Sequence, residues 1–290
     1  MSPRLIGGLA LALASAGVLN WGFYVQHGAA SALPALSPRR PLVSLGLLFG
    51  DRRWLTGFAA GIGGWALYVG ALALAPLSLV QAASAGGIGV LALLVSAGGV
   101  RLERRERRGV ALAVVGLALL GASLAGRGTH GAEGTWPAIA AWIGVSAAAA
   151  AFAAGPLARA LAGGAGLGLA AGLLYAGGDV ATKAAVFGGA RLAFVPAVLA
   201  CHGLAFVALQ LAFQRGGALA TAGVAALFTN ALPILAGTTV FAEGLGALAP
   251  LRVLAFVCVV AGATLLARPA QRDVSAACLP RRDGLASLTD

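Results

Sequence analysis

Nine mostly apolar stretches, roughly 5–26, 54–75, 78–100, 109–126, 136–154, 165–187, 191–213, 217–241 and 247–267, set the terms on which this chain can fold. A bilayer core about 30 Å thick takes ~20 consecutive apolar residues to cross as a helix. The stretches are close to that length, and Gly, Pro or charge punctuates their ends. Only 10% of the 290 residues are charged and 60% are hydrophobic, where a soluble domain carries roughly 25% charged residues. Mean hydropathy is +0.92. Strand-length segments of alternating polarity are absent, which argues against a β-barrel. The 44 glycines suit close helix contact in lipid. The reading is an all-α polytopic membrane protein. Pro41–Gly50 is too short to span alone and reads as re-entrant or interfacial, or as a tenth segment if it crosses. The polar tail after Arg268 reads as disordered and cytoplasmic.

Two of these stretches repeat each other. Leu79–Glu103 reads against Leu219–Glu243, with Leu79/Leu219, Ala82/Ala222, Ala85/Ala225, Val100/Val240 and Glu103/Glu243 coinciding. Gly8–Ala12 echoes Gly166–Ala170 in the same way. Cytoplasmic loops collect Lys and Arg. With nine spans, fifteen of the twenty basic residues fall on one side, around Arg39–Arg53, Arg101–Arg108, Arg159, Arg215 and the tail from Arg268. Arg4, Arg127 and Arg191 fall on the other. The C-terminus is therefore expected inside and the N-terminus outside the plasma membrane. The net charge of +11 then belongs to loops beside an anionic leaflet, not to a nucleic-acid surface. Glu103 lands inside and Glu243 outside, so the two copies are inverted, as in many secondary transporters. The expected layout is a first repeat over 1–126, a connecting helix within 127–164, an inverted second repeat over 165–267 and a tail over 268–290.

Specific residues carry a family resemblance. Ala208–Ala267 contains Ala-Leu-Gln-Leu-Ala, Asn230, Pro233, Ile234, Val-Phe-Ala-Glu at Val240–Glu243, and Arg252. It resembles the second half of a drug/metabolite transporter superfamily protein of the EamA-like arm. Ala71–Pro76, Leu79–Val80 and Arg101–Gly109 are similar to its first half. A finer resemblance is to NIPA-like magnesium transporters, through Gly8–Ser15, Ala75–Val80 and Gly178–Lys183. Nine spans, with the first half one helix short of the ten-helix pattern, fit this resemblance as well, and the chain departs from it where Gly-Gly-Ile follows Ala85.

Polar residues inside apolar spans are costly and mark candidate sites. Asp179 and Lys183 lie four apart on one helix face; they bind solute or neutralise each other locally. Asn20, Gln26, Gln81, Gln210 and Asn230 are amides that bind solute or join helices. Trp21, Tyr24, Trp65, Tyr68, Trp142 and Tyr175 line a cavity or anchor at interfaces. His202 is a candidate for proton coupling, or an interhelical hydrogen bonder. Glu103 and Glu243 read as helix-end residues rather than ligands.

Other chemistry is missing from the sequence. Cys201, Cys258 and Cys278 and the three histidines form no metal-ligand spacing. No phosphate-binding loop marks an ATP motor, and no cofactor is expected. No cluster of nucleophile and base supports an enzyme. Gly57-x-x-x-Gly61 and Gly168-x-x-x-Gly172 are packing signals, with a homodimer as their second reading. A signal-peptide reading of the N-terminus competes poorly, because 5–26 is long and carries Asn20 and Gln26.

The expected function is a secondary permease moving a small solute across the plasma (inner) membrane by alternating access. Its expected binding residues are Asn20, Trp21, Tyr24, Gln81, Tyr175, Asp179, Lys183, Gln210 and Asn230, with His202 for protons. The alternatives are a magnesium permease and a non-transporting membrane scaffold.

Overall fold

The computed structural model describes residues 3–37, 39–84, 86–124, 132–161, 163–243 and 249–267. No strand occurs among them. The helices are α1 (Pro3–Ala30), α2 (Pro41–Gly50), α3 (Arg52–Leu74), α4 (Leu77–Ser84), α5 (Gly87–Ala97), α6 (Arg104–Leu124), α7 (Trp136–Ala154), α8 (Pro156–Ala160), α9 (Ala165–Val186), α10 (Val195–Phe213), α11 (Val224–Thr239) and α12 (Ala249–Ala267). A 3-10 turn, Gly189–Phe194, leads into α10, and a π-helical turn, Leu219–Gly223, leads into α11.

Length and apolarity qualify six segments among the described residues to cross a bilayer: Pro3–Ala30, Arg52–Leu74, Leu77–Ala97, Trp136–Ala160, Gly189–Phe213 and Leu219–Thr239. This is the helical, apolar architecture of a polytopic membrane protein, with six such helices where nine spans were expected. The other three expected spans form helices that miss the criterion. α6 opens on Arg104, Arg105, Glu106, Arg107 and Arg108. α12 adjoins undescribed residues. α9 is buried along most of its length among α7, α10 and α11. It therefore carries Gly166, Gly168, Gly172, Gly177 and Gly178 rather than bulky side chains suited to lipid. The expected tail, 268–290, lies outside the described residues, as does Arg127.

α2 has 10 residues, about 15 Å of helix, or half a bilayer core. Asp51 ends it and starts α3, its carboxylate accepting from the Trp54 amide at 2.7 Å. The expected span 78–100 carries α4 and α5, which together make the segment Leu77–Ala97, and its sequence partner near 217–241 opens on the π-turn that runs into α11.

Glycines set the helix contacts. A Cβ at Gly22 would lie 2.8 Å from the Gly57 carbonyl, so α1 and α3 meet backbone to backbone. Gly168 and Gly172 approach the carbonyls of Thr221 and Ala225 equally closely, at 2.6 Å for an added Cβ. The two Gly-x-x-x-Gly spacings are therefore engaged within the chain. Meanwhile Leu93, Val145 and Val253 face outward, more than two-thirds exposed, as a lipid solvent requires.

Candidate functional site

A cavity of ≈ 460 Å³ lies among α1, α2, α3, α4, α9, α10 and α11. Seven aromatic residues line it: Phe23, Phe49, Phe58, Trp65, Tyr68, Tyr175 and Phe206. Phe58 stacks on Trp54 at 5.1 Å, and Phe206 meets Phe58 edge-on at 5.5 Å. An amide chain adjoins these rings through Trp54. Trp54 Nε1 donates to Gln210 Oε1 (2.9 Å), Gln210 Nε2 to Gln26 Oε1 (2.7 Å), and Gln26 Nε2 to the Gly57 carbonyl (3.1 Å).

Asp179 is the one carboxylate among the lining residues. It is 4% exposed, so its charge needs partners. Gln81 Nε2 donates to its Oδ2 at 2.9 Å and also to the Tyr68 hydroxyl at 2.7 Å. His202 Nε2 sits 3.5 Å from Oδ1. His202 Nδ1 donates to the Val198 carbonyl, one turn back, at 3.0 Å. With Nδ1–H committed there, a proton between Nε2 and Oδ1 belongs to the pair. The pair is neutral with that proton and carries one negative charge without it. Trp65 and Tyr175 both meet the His202 ring edge-on, at 5.8 and 5.6 Å. The ring is thus fixed from three sides.

Of the residues singled out from sequence, Asn20, Gln26, Trp65, Tyr68, Gln81, Tyr175, Asp179, His202 and Asn230 come together around this cavity. Asn20 and Asn230 each donate to the carbonyl one turn back on their own helix, Ala16 and Ala226, at 2.8 and 2.6 Å. Trp21, Tyr24, Lys183 and Gln210 do not line it. Trp21 is 41% exposed on the outer face of α1. Tyr24 packs beside Gly98 at the end of α5. Gln210 serves the amide chain described above.

Lys183 does not pair with Asp179. Its ammonium donates to the carbonyls of Leu72 (3.0 Å) and Ala75 (3.1 Å) at the end of α3. The local-neutralisation alternative therefore fails, because the two side chains are recruited by different elements. Glu243 is 3% exposed. Its carboxylate accepts from the amides of Leu77 (2.7 Å) and Ser78 (2.9 Å), which open α4. Lys183 and Glu243 thus flank the Ala75–Pro76 break, one at each helix terminus, as the helix dipoles favour. Glu103 is exposed and lies 3.7 Å from Arg105.

Sequence reasoning passed over Phe23, Phe49, Phe58 and Phe206. Aromatic residues are ordinary in membrane spans, and only the fold, which sets α1, α2, α3 and α10 around one cavity, gathers them. Among the described residues, no group of three or more His, Cys, Asp or Glu side chains is placed to hold a metal ion. No protein-family model, curated protein or solved structure matches this chain.

Proposed function

We propose that this chain is a secondary transporter that moves a small organic solute across the plasma membrane by alternating access, coupled to protons through Asp179 and His202. One observation carries the reading: a solute-sized cavity within apolar helices encloses a carboxylate–imidazole pair and is walled by both sequence copies. α1, α3 and α4 come from the first copy, and α9, α10 and α11 from the second. An ionisable pair at such a site marks a substrate or proton path.

Cross-copy contacts support an inverted repeat of nine spans. Lys183, near the end of α9, holds the Ala75 carbonyl after α3. His27, near the end of α1, meets the Gly216 carbonyl after α10 at 3.0 Å. Each copy's first helix thus ties the other copy's break following its second spanning helix, as an inverted pair would. The arginine distribution puts Lys183 and Glu243 at the outer end and His27 at the cytoplasmic end. On this reading the resemblance to the drug/metabolite transporter superfamily describes the fold's plan, and the two copies rock about the cavity.

The magnesium-permease reading gains nothing from the cavity. Mg²⁺ favours near-octahedral oxygen ligands and gives up water reluctantly, whereas Asp179 is already held by Gln81 and His202. Reconstitution in liposomes, with uptake measured for a panel of organic metabolites and for Mg²⁺, tests the proposal. Solute flux that responds to an imposed proton gradient is the expected result. Correctly inserted protein that moves none of the panel overturns it.

A further inference from the structure

The cavity meets the outer surface at its side. Ile62 on α3 and Leu199 on α10 both line the cavity, yet they are 54% and 66% exposed. Gly203, one helical turn beyond Leu199, also lines it, and a Cβ added there would meet nothing within 4 Å. Across the gap stands Gly61, another lining residue without a side chain. α3 and α10 meet here through side chains alone: Phe206 on Trp54 and Phe58, Trp54 on Gln210, and Trp65 on His202. Leu45 and Phe49 of α2 supply further apolar lining and are themselves 43% and 47% exposed. The lining residues most exposed on this flank, Ile62, Leu199, Leu45 and Phe49, are all apolar.

We infer that the cavity's ligand is an uncharged, lipid-soluble organic molecule with an aromatic or branched apolar body, admitted from the bilayer between α3 and α10. This deepens the transporter reading above and rests on it for the movement of the ligand, though not for its seating.

Three features set the ligand class. The opening is rimmed by Ile62, Leu199 and Gly203, so a strongly hydrated solute loses its water there without replacement. Seven aromatic rings stand in the wall and reward apolar and aromatic surface. Apart from the tyrosines, the only ionisable groups among the lining residues, Asp179 and His202, face each other at 3.5 Å. With their shared proton in place the pair is neutral and offers a charged ligand no counter-charge.

Photolabelling in nanodiscs tests the inference with two probes: an uncharged alkyl-aryl diazirine, and the same diazirine bearing a trimethylammonium group. Peptide mapping is expected to place the neutral probe on the lining stretches 58–68 and 175–179, as well as on lipid-facing Leu93 and Val145. Gly203→Trp fills the opening and should cut labelling of the lining stretches about tenfold, leaving Leu93 and Val145 unchanged. Leu199→Trp is the second variant, used if Gly203→Trp unfolds at a lower temperature than the parent.

Equal labelling of the lining stretches by the charged probe overturns the ligand class. Labelling that neither tryptophan reduces overturns the route. An unlabelled wild-type cavity, as when an acyl chain fills it, overturns both. The readout requires no flux. Seating without transport therefore retires the transporter reading alone, and transport without seating retires this one.

Discussion

Asp179 was legible in the sequence as a charge within an apolar span, but its partners were not. The i, i+4 spacing offered Lys183, a neighbour on the same helix. The fold instead brings Gln81 from α4 and His202 from α10, while Lys183 turns to the carbonyls of α3. Contacts between remote elements carry no local spacing signal, so no reading of α9 alone finds them. The groups that can exchange protons around Asp179 are Tyr68 from α3, Tyr175 on its own helix, and His202 and Cys201 from α10. His202 alone aims a ring nitrogen at the carboxylate. In Asp179→Asn, the shared proton has lost one of its two holders. Proton-driven uptake should fall by about tenfold or more, the scale of one charge-assisted hydrogen bond. Its dependence on pH should flatten as well. Uptake assays across a pH series check both. An unchanged pH profile would remove the pair from coupling.

Among elements, the break between α3 and α4 is the most heavily supported. Pro76 has no amide hydrogen, and the α3 carbonyls and α4 amides around it would otherwise be stranded in an apolar interior. Lys183 satisfies the first group and Glu243 the second. Ala242, just before Glu243, holds φ at +49°. A non-glycine residue adopts this backbone only when its surroundings enforce it, and here it directs the glutamate onto α4. The sequence marked Glu103 and Glu243 as equivalent copy ends, yet the two have unequal work. Glu243 is buried on two amides, whereas Glu103 is exposed beside Arg105. Their sequence positions could not reveal this, because the difference lies in which helix stands opposite. Glu243→Gln keeps the volume but replaces one accepting oxygen with a donor, and should cost about 1.5–3 kcal/mol. Glu103→Gln should stay within about 0.5 kcal/mol. Thermal or denaturant unfolding of the purified protein in detergent separates them, and equal losses would refute the cap.

For the whole molecule, the helical class was readable from apolar length alone, and the expected spans fall on helices throughout the described residues. Apolar length could not show that α9, the helix bearing Asp179, is a central helix rich in glycine. Nor could it settle Pro41–Gly50, a stretch as apolar as any span. The fold makes it a helix about 15 Å long, ended by Asp51 as the N-cap of α3. If α2 turns back at that depth, Arg39 and Arg40 lie on the same face as Arg52 and Arg53. The chain then crosses nine times and its termini lie on opposite faces. Single cysteines at Arg40 and Arg52, in a protein with Cys201, Cys258 and Cys278 replaced by alanine, should react with an impermeant maleimide from the same side. Reporters fused before residue 2 and after residue 290 should report opposite sides, the second cytoplasmic by the arginine count. Maleimide labelling from opposite sides would mean that α2 crosses. It would return the N-terminus to the cytoplasm and set α1 parallel to α9, while the stretches ending at Glu103 and Glu243, both downstream of α2, would stay inverted.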